Sequence, residues 1–482
     1  MRWIVYNALF AVAYLAMMPK FLRRMKKRGG YRAHFAERFG RYEPDVARRL
    51  AEKPRIWVHA VSVGEANLAG TIVKELRRLD PAASFVLSTT SSTGRAVIDR
   101  LAGPDDVAIY LPLDFPPCVR RAVAAVNARA LVLAESEFWP NLLRALRRKG
   151  VPLVLANGRV SDRSAPGYRR LRFFFGPVFR LFDAMLVQSA RDRDRLVAAG
   201  APAGRIEISG SVKFDVEPPS PEALARARAV LAAGGIEPGR DVVLLGGSTW
   251  PGEELALASA WRSLLPRFPG LRRVLVPRHA EGAPEVAAEL SAADFRVLRS
   301  SAAANAGSGT ASSRRETGIV PSQCEIAAKS SPCGEGDASA CRGEAGAGPS
   351  GSSSAGEPGI LCVDLTGVLF PLYSFADAVF VGKTLPPNEG GQNMIEPCSF
   401  GKATLCGPHV ENFVPVMEAL RAAGAVVEVP DAAALAPELG RLLSDPAARA
   451  DLGRRAGKAV AASRGALART ASAILRAAPP IR

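Results

Sequence analysis

Short apolar runs alternate with amphipathic stretches through most of the chain from Arg55 onward. Residues 55–61, 84–88, 130–134, 151–157 and 184–188 read as buried strands. Between them, 65–79 carries apolar side chains at helical spacing, and further helices are predicted from about Thr93 and Pro140. A second series starts at Asp241 with the strand VVLLGGS and a helix over 251–265. Strands at 273–277, 360–364, 378–381 and 403–406 and a final helical region follow. Short apolar strands separated by helices predict parallel sheets covered on both faces. Pro218, Pro219 and Pro221 fall between the two series, where a linker is expected. The predicted fold is α/β, with two doubly wound, Rossmann-like units over 31–217 and 241–482, joined by 218–240. Ligands are then expected at the carboxyl ends of strands and in the cleft between the units.

Two segments break the rhythm. Residues 3–18, WIVYNALFAVAYLAMM, carry no charge, and Asn7 is the clearly polar position. As a helix this run rises about 24 Å, slightly less than the roughly 30 Å hydrocarbon core of a bilayer. Lys20, Arg23, Arg24, Lys26, Lys27 and Arg28 follow at once. A cleaved signal peptide has its charges before the apolar run, not after it. Positive charge on this side keeps the following chain in the cytoplasm and attracts anionic lipid. Segment 1–30 is therefore read as a membrane anchor with a basic juxtamembrane stretch, the alternative being an ordinary buried helix. The second break is 300–357, dominated by Ser, Ala and Gly, which is expected to be a disordered insertion between two strands of the second unit.

Composition narrows the function classes. The chain has 482 residues, 48% hydrophobic and 23% charged, which excludes a wholly disordered chain or a collagen-like fibre. A net charge of +17 favours anionic partners: nucleic acid, acidic lipid or phosphorylated substrates. No repeated basic–aromatic pattern supports nucleic acid, which is not expected as a partner. The seven cysteines form no CxxC pair, so neither a disulfide scaffold nor a structural zinc site is expected.

Several strand-to-helix junctions concentrate chemistry. In HAVSVGE at 59–65 a strand ends, Gly64 permits a turn and Glu65 opens a helix. Ser62 and Glu65 have capping-box spacing, and the carboxyl end of a strand is also where catalytic groups collect. TTSSTGR at 89–95 and ESEFWP at 135–140 occupy equivalent junctions. An Asp-x-Asp at Asp192 and Asp194, interleaved with Arg191, Arg193 and Arg195, reads as an exposed, salt-bridged helix face, not a metal site. His34 and His59 show no ligand-like spacing.

Taken together, the chain resembles the 3-deoxy-D-manno-oct-2-ulosonic acid (Kdo) transferases of lipid A assembly. The resemblance rests on RIWVHAVSVGE at 55–65, LSTTSSTGR at 87–95, LAESEFWPN at 133–141 and LANGRVSDRS at 155–164. It continues in GGSTWPGEE at 246–254, VPRHAE at 276–281, FVGKTLPPNEGGQNMIEP at 380–397 and GPHVENF at 407–413. It implies a GT-B architecture with an acceptor-side first unit, a donor-side second unit and an N-terminal membrane-associating segment.

By the same resemblance, Glu65 matches the catalytic base, Glu135 a second active-site carboxylate and Arg95 an active-site arginine. Ser248, Thr249, Arg278, Asn393 and Glu396 match the side that binds the CMP half of the donor, with His279 and Gly391 as further substrate-binding candidates. The implied reaction is an inverting transfer of Kdo from CMP-Kdo to a lipid A precursor at the cytoplasmic face of a bacterial inner membrane. CMP-Kdo is a co-substrate. No cofactor is expected, and no metal is demanded, because CMP leaves with a single phosphate. Asn393 and Glu396 also have helix-capping spacing. Gln392 stands where the family usually has His, and Lys383 where it often has a second Gly. The rival readings are a GT-B transferase using a UDP-sugar, a UDP-sugar epimerase of the same architecture, and a nonenzymatic binder of lipid or nucleic acid.

Overall fold

The alternating pattern folds into two all-parallel sheets. A computed structural model of the chain describes residues 2–28, 33–136, 138–302 and 359–478. The first sheet comprises β1 (Arg55–His59), β2 (Phe85–Thr89), β3 (Val107–Tyr110), β4 (Ala128–Ala134), β5 (Leu153–Gly158), β6 (Ala184–Val187) and β7 (Ile206–Ile208). Its seven strands run in the order β3-β2-β1-β4-β5-β6-β7. Trp57 sits level with Val86 on one neighbour and Leu131 on the other. Successive side chains of a strand point to opposite faces. Accordingly Trp57 enters one core with Leu131, Leu133 and Phe179, while Ile56 and Val58 enter the other with Ala130 and Val132. Each such fully buried large side chain contributes roughly 1.5–3 kcal/mol of transfer free energy.

The second sheet repeats the plan with β8 (Val242–Thr249), β9 (Leu271–Pro277), β10 (Val297–Arg299), β11 (Ile360–Cys362), β12 (Ala378–Val381), β13 (Ala403–Cys406) and β14 (Val427–Glu428). Their order is β10-β11-β9-β8-β12-β13-β14. In each sheet the chain starts near the middle, builds to one edge and returns to build to the other. The turning points lie between β1 and β4 and between β8 and β12, and a doubly wound sheet opens a crevice for ligands there. Of the proposed insertion, 303–357 lies outside the described residues. Its leading flank is tied down, with the Ser300 hydroxyl and the Ser301 amide both donating to Asp364 just beyond β11, at 2.6 and 2.9 Å.

Three features depart from the sequence-based division. The expected linker 218–240 contains the helix Pro221–Ala233, whose Ala227, Val230 and Leu231 are buried in the second core. Ser220 caps this helix, and Pro221 fits its first turn, where no N–H is needed. The final helix, Ala466–Ala477, was grouped with the second unit but buries Ala466, Ala471, Ala473 and Ile474 in the first. Asp215 secures this return, one carboxylate oxygen accepting from the Gly465 amide at 2.6 Å and the other from the Leu467 amide at 2.7 Å. Lastly, Asp192 is buried and not solvated. It accepts from the Val160 amide at 2.8 Å and from the Ser189 hydroxyl at the helix start, leaving the ion pair with Arg193 to Asp194.

The N-terminal helix Arg2–Arg28 is long and apolar enough over Trp3–Lys20 to cross a membrane. One face is docked. The Tyr6 hydroxyl donates to Asp114 at 2.8 Å, and Asn141 donates to the Asn7 side chain at 2.7 Å. Phe10 and Tyr14 pack edge-on against Phe115. On the other face Ile4, Leu9, Val12, Leu15 and Met17 are 63–73% exposed, an apolar surface that water does not favour.

Candidate active site

The first sheet's turning point is flanked by the loops that follow β1 and β4, which carry Glu65 and Glu135. The loop after β1 becomes the helix Val63–Leu79, capped by Ser62, whose hydroxyl oxygen accepts from the Glu65 amide at 3.2 Å. The Glu65 carboxylate reaches back to accept from the Val61 amide at 2.8 Å. The Ser62 half of the capping box foreseen from the spacing is formed, while the carboxylate bonds the amide one residue before the cap, which fixes where it points. Burial raises the Glu65 pKa. The Val61 and Ser62 hydrogen bonds oppose this, and the negative charge of Glu135 adds to it. Glu135 holds a left-handed backbone with φ 61°, and its amide is tied to the Ala156 carbonyl at 3.0 Å. A non-glycine residue in that region is strained, and such strain collects at functional sites. Behind these loops His59 is fully buried with Nδ1 on Ser88, and burial pushes its pKa down to about 4, so the ring stays neutral.

Arg95 is differently engaged. Its guanidinium pairs with Glu37 at 2.7 Å and Asp99 at 2.8 Å and lies over the Tyr110 ring. Two of its nitrogens pair with these carboxylates within the first unit.

On the second sheet, β8 ends in Ser248, with φ 52°, and the buried Thr249, whose carbonyl accepts from the Arg278 amide at 3.0 Å. Arg278 and His279 follow β9 and are exposed. Glu396 lies nearby. Burial raises its pKa, while a hydrogen bond from Asn393 and the charge of Arg278 lower it. Asn393 donates to Glu396 at 3.1 Å and accepts from the Ile395 amide at 3.1 Å. The pair thus shares one hydrogen bond, as the capping reading anticipated in part, but the helix Ile395–Ser399 that they start has only 5 residues. The helix after β8 begins later than expected, at Glu253. Gly391 has φ 71°, and a Cβ there would sit 3.1 Å from the His409 carbonyl, a tight approach in a backbone region that favours glycine.

Lys213, which the sequence reading passed over, connects the halves. Its ammonium lies 3.8 Å from Glu135 and 5.7 Å from the centre of the Phe413 ring. Asn412, beside Phe413, donates its amide to the Gly390 carbonyl at 3.0 Å, next to the turn that presents Asn393. A hollow continues alongside, lined by Arg159, Ser161 and Arg191 from the first half and by Glu411, Pro415 and Glu418 from the second. The available signal for Lys213 was a lone cation in the short run GSVKF just past β7, too common a pattern to single out.

Glu253 was also missed. It is 1% exposed, and its two carboxylate oxygens accept from the amides of Trp250, Lys383, Thr384 and Leu385 at 2.7–3.0 Å. It holds the loop after β12 against the loop after β8.

Two facing doubly wound sheets with a cleft between the carboxyl ends of their strands define the GT-B class. The Anabaena HepE protein in complex with UDP shares this fold, at TM-score 0.50 and 12% identity over 88% of this chain and 99% of that one. The model of the 3-deoxy-D-manno-octulosonic-acid transferase (kdotransferase) family matches residues 33–216. The chain is 32% identical over 472 residues to the 3-deoxy-D-manno-octulosonic acid transferase of Bordetella pertussis, covering 94% of each. It is 27% identical to that of Haemophilus influenzae, covering 91% of this chain and 90% of the relative. The chain belongs to the 3-deoxy-D-manno-octulosonic acid transferase family.

Proposed function

We propose that this chain transfers Kdo from CMP-Kdo to a hydroxyl of a lipid A precursor, with inversion at the anomeric carbon. The observation that carries this reading is the Glu135–Lys213–Phe413 contact, which links the carboxylate side of the cleft to the glycine turn of the donor side. Glu65 takes the proton of the acceptor hydroxyl as that oxygen bonds to the anomeric carbon of Kdo. The bond to the phosphate oxygen breaks on the opposite face, and CMP departs with the electron pair. Arg278 balances the phosphate charge, and Asn393 with Glu396 lies beside it to receive the nucleotide. Glu135, held by Lys213, keeps a second negative charge near Glu65 and near the positive charge that develops on the sugar.

The acceptor is a phosphorylated glycolipid, which suits the charge of +17. The exposed apolar face of Arg2–Arg28 and the basic residues that follow the run 3–18 support residence at the inner membrane, with the body on the cytoplasmic side.

The test is CMP release by the full chain in detergent. CMP is expected from CMP-Kdo only when a lipid A precursor is added, with the precursor's mass rising by one or more Kdo units. Release of UDP from a UDP-sugar instead, or no lipid-dependent release, sinks the proposal. Arg278→Ala is expected to raise KM for CMP-Kdo about tenfold or more, the scale of one lost charge-assisted contact, while the melting temperature stays put because the side chain is exposed. An unchanged KM removes Arg278 from the phosphate site.

A further inference from the structure

We propose that Lys383 binds the carboxylate of the sugar being transferred, adding in this chain a cationic contact to the acidic sugar. The inference rests on CMP-Kdo being the donor, as proposed above.

Position is the first argument. Lys383 follows β12 by two residues, at the turning point of the second sheet, across from the Ser248–Thr249 end of β8. Its ammonium lies 4.6 Å from the centre of the Trp250 ring. The same ring meets His279 edge-on at 5.9 Å, and His279 follows Arg278. One indole thus lies between Lys383 and His279, the neighbour of Arg278, and the two follow strands on either side of β8.

The backbone is the second argument. Lys383 has φ 61°, a conformation that costs a side-chain-bearing residue energy and glycine almost nothing. The neighbouring turn meets the same demand with Gly390 and Gly391. At 383 a lysine stands in that conformation, and the conformation is enforced. The buried Glu253 carboxylate accepts its amide at 2.7 Å, and its carbonyl accepts from the Gly391 amide at 2.9 Å. A strained residue held by rigid surroundings is common where a side chain has a task.

Charge is the third argument. The nearby acids are committed elsewhere: Glu253 to four backbone amides, Glu411 to the Gly390 amide and His409, and Glu396 to Asn393. Lys383 forms no ion pair with any described residue. Trp250 supports a cation but does not neutralise it. CMP-Kdo carries two anionic groups, the phosphodiester and the carboxylate beside the anomeric carbon. Arg278 accounts for one, and a second cation across the indole is matched to the other. A nucleotide carrying a neutral sugar would leave that ammonium without a partner.

The test compares KM for CMP-Kdo with inhibition by CMP alone, which has the nucleotide but no sugar carboxylate. Lys383→Gln is expected to raise KM about tenfold while the inhibition constant of CMP changes less than about twofold, and Lys383→Arg to restore most of the lost affinity. Lys383→Gly is expected to raise KM equally while melting about 1–3 °C higher, since it relieves the backbone. A fall in donor affinity with a gain in stability cannot come from a damaged fold. An unchanged KM in Lys383→Gln overturns the inference, and so does an equal loss of CMP and CMP-Kdo affinity, which assigns the ammonium to the phosphate. If the unaltered chain gives no lipid-dependent CMP release, the functional reading itself has failed.

Discussion

Glu65→Gln is expected to lower the rate of Kdo transfer by about 10²–10⁴-fold, the usual range for loss of a general base. Donor binding is expected to be retained, because the proposed nucleotide contacts come from the second sheet. The substitution suits the question because it separates chemistry from structure. The carboxylate serves locally as an acceptor for the Val61 amide, and a glutamine oxygen can accept the same hydrogen bond. The helix start therefore survives, and the melting temperature stays near that of the unaltered chain. The pH profile gives a second readout. A base works when ionised, so activity rises with pH through the pKa of Glu65. Burial and the charge of Glu135 hold that pKa above the usual carboxylate value, so the acid limb lies at correspondingly higher pH. Residual transfer in the glutamine variant loses this limb. Near-normal transfer by Glu65→Gln in single-turnover assays would assign the proton to another group.

Glu253→Ala has the largest expected effect on the fold. Four amides donate to this carboxylate, and all are left without it at once. An unsatisfied buried donor costs about 1–3 kcal/mol, and partial relaxation leaves a net loss of about 3–5 kcal/mol. Glutamine is a poor substitute, since its NH2 group would face donors where the second carboxylate oxygen accepts. Burial raises the pKa of Glu253, and the four amides work against that rise. Alanine should therefore lower the melting temperature by several degrees and abolish donor binding, because the Gly382–Leu385 loop is no longer pinned to Trp250. The position of Gly382 sharpens this, as a Cβ there would lie 2.5 Å from the Ser248 carbonyl. The two loops touch backbone to backbone and depend on the buried carboxylate between them. A melt indistinguishable from the unaltered chain would show that the amides find other acceptors.

The interior of the fold was legible in the sequence because fully buried parallel strands are written as continuous apolar runs. β1, β2, β4, β5 and β6 all stood out, as did β8, β9, β11, β12 and β13. The strands left unassigned were β3, β7, β10 and β14, the outermost strand on each side of each sheet. An edge strand has one pairing neighbour and is commonly shorter and wetter, although β3 is mostly buried. β7 reads IEI and β14 only VE, with most of their side chains partly or well exposed, so neither carries a periodic signal. The final helix was misplaced for another reason. Its alanine-rich apolar face does not by itself name a core, and contacts with residues some 250 positions earlier, Asp215 and the Ser209 carbonyl that accepts from Arg469, hold it to the first unit. At the candidate site, Glu65 and Glu135 stood out in the sequence because each lies at a strand-to-helix junction inside a motif that resembles the transferase family. Lys213 and Glu253 were not recognised, and Lys383 was noted only as a departure from the family, because their significance lies in contacts between segments far apart in the chain, as between Glu253 and the 383–385 amides. Nothing in the local sequence around Glu253 distinguishes it from Glu254 beside it.

The chain passes between the halves after Asp215 and comes back before Gly465, and one carboxylate clasps both passages. A single tether would let the halves swivel freely about it. Two tethers clasped at one point resist twisting and leave a scissor-like swing, with Asp215 as the rivet. Such a joint makes cleft width the coordinate that changes most easily. Blades that part about such a rivet would meet again in the same alignment.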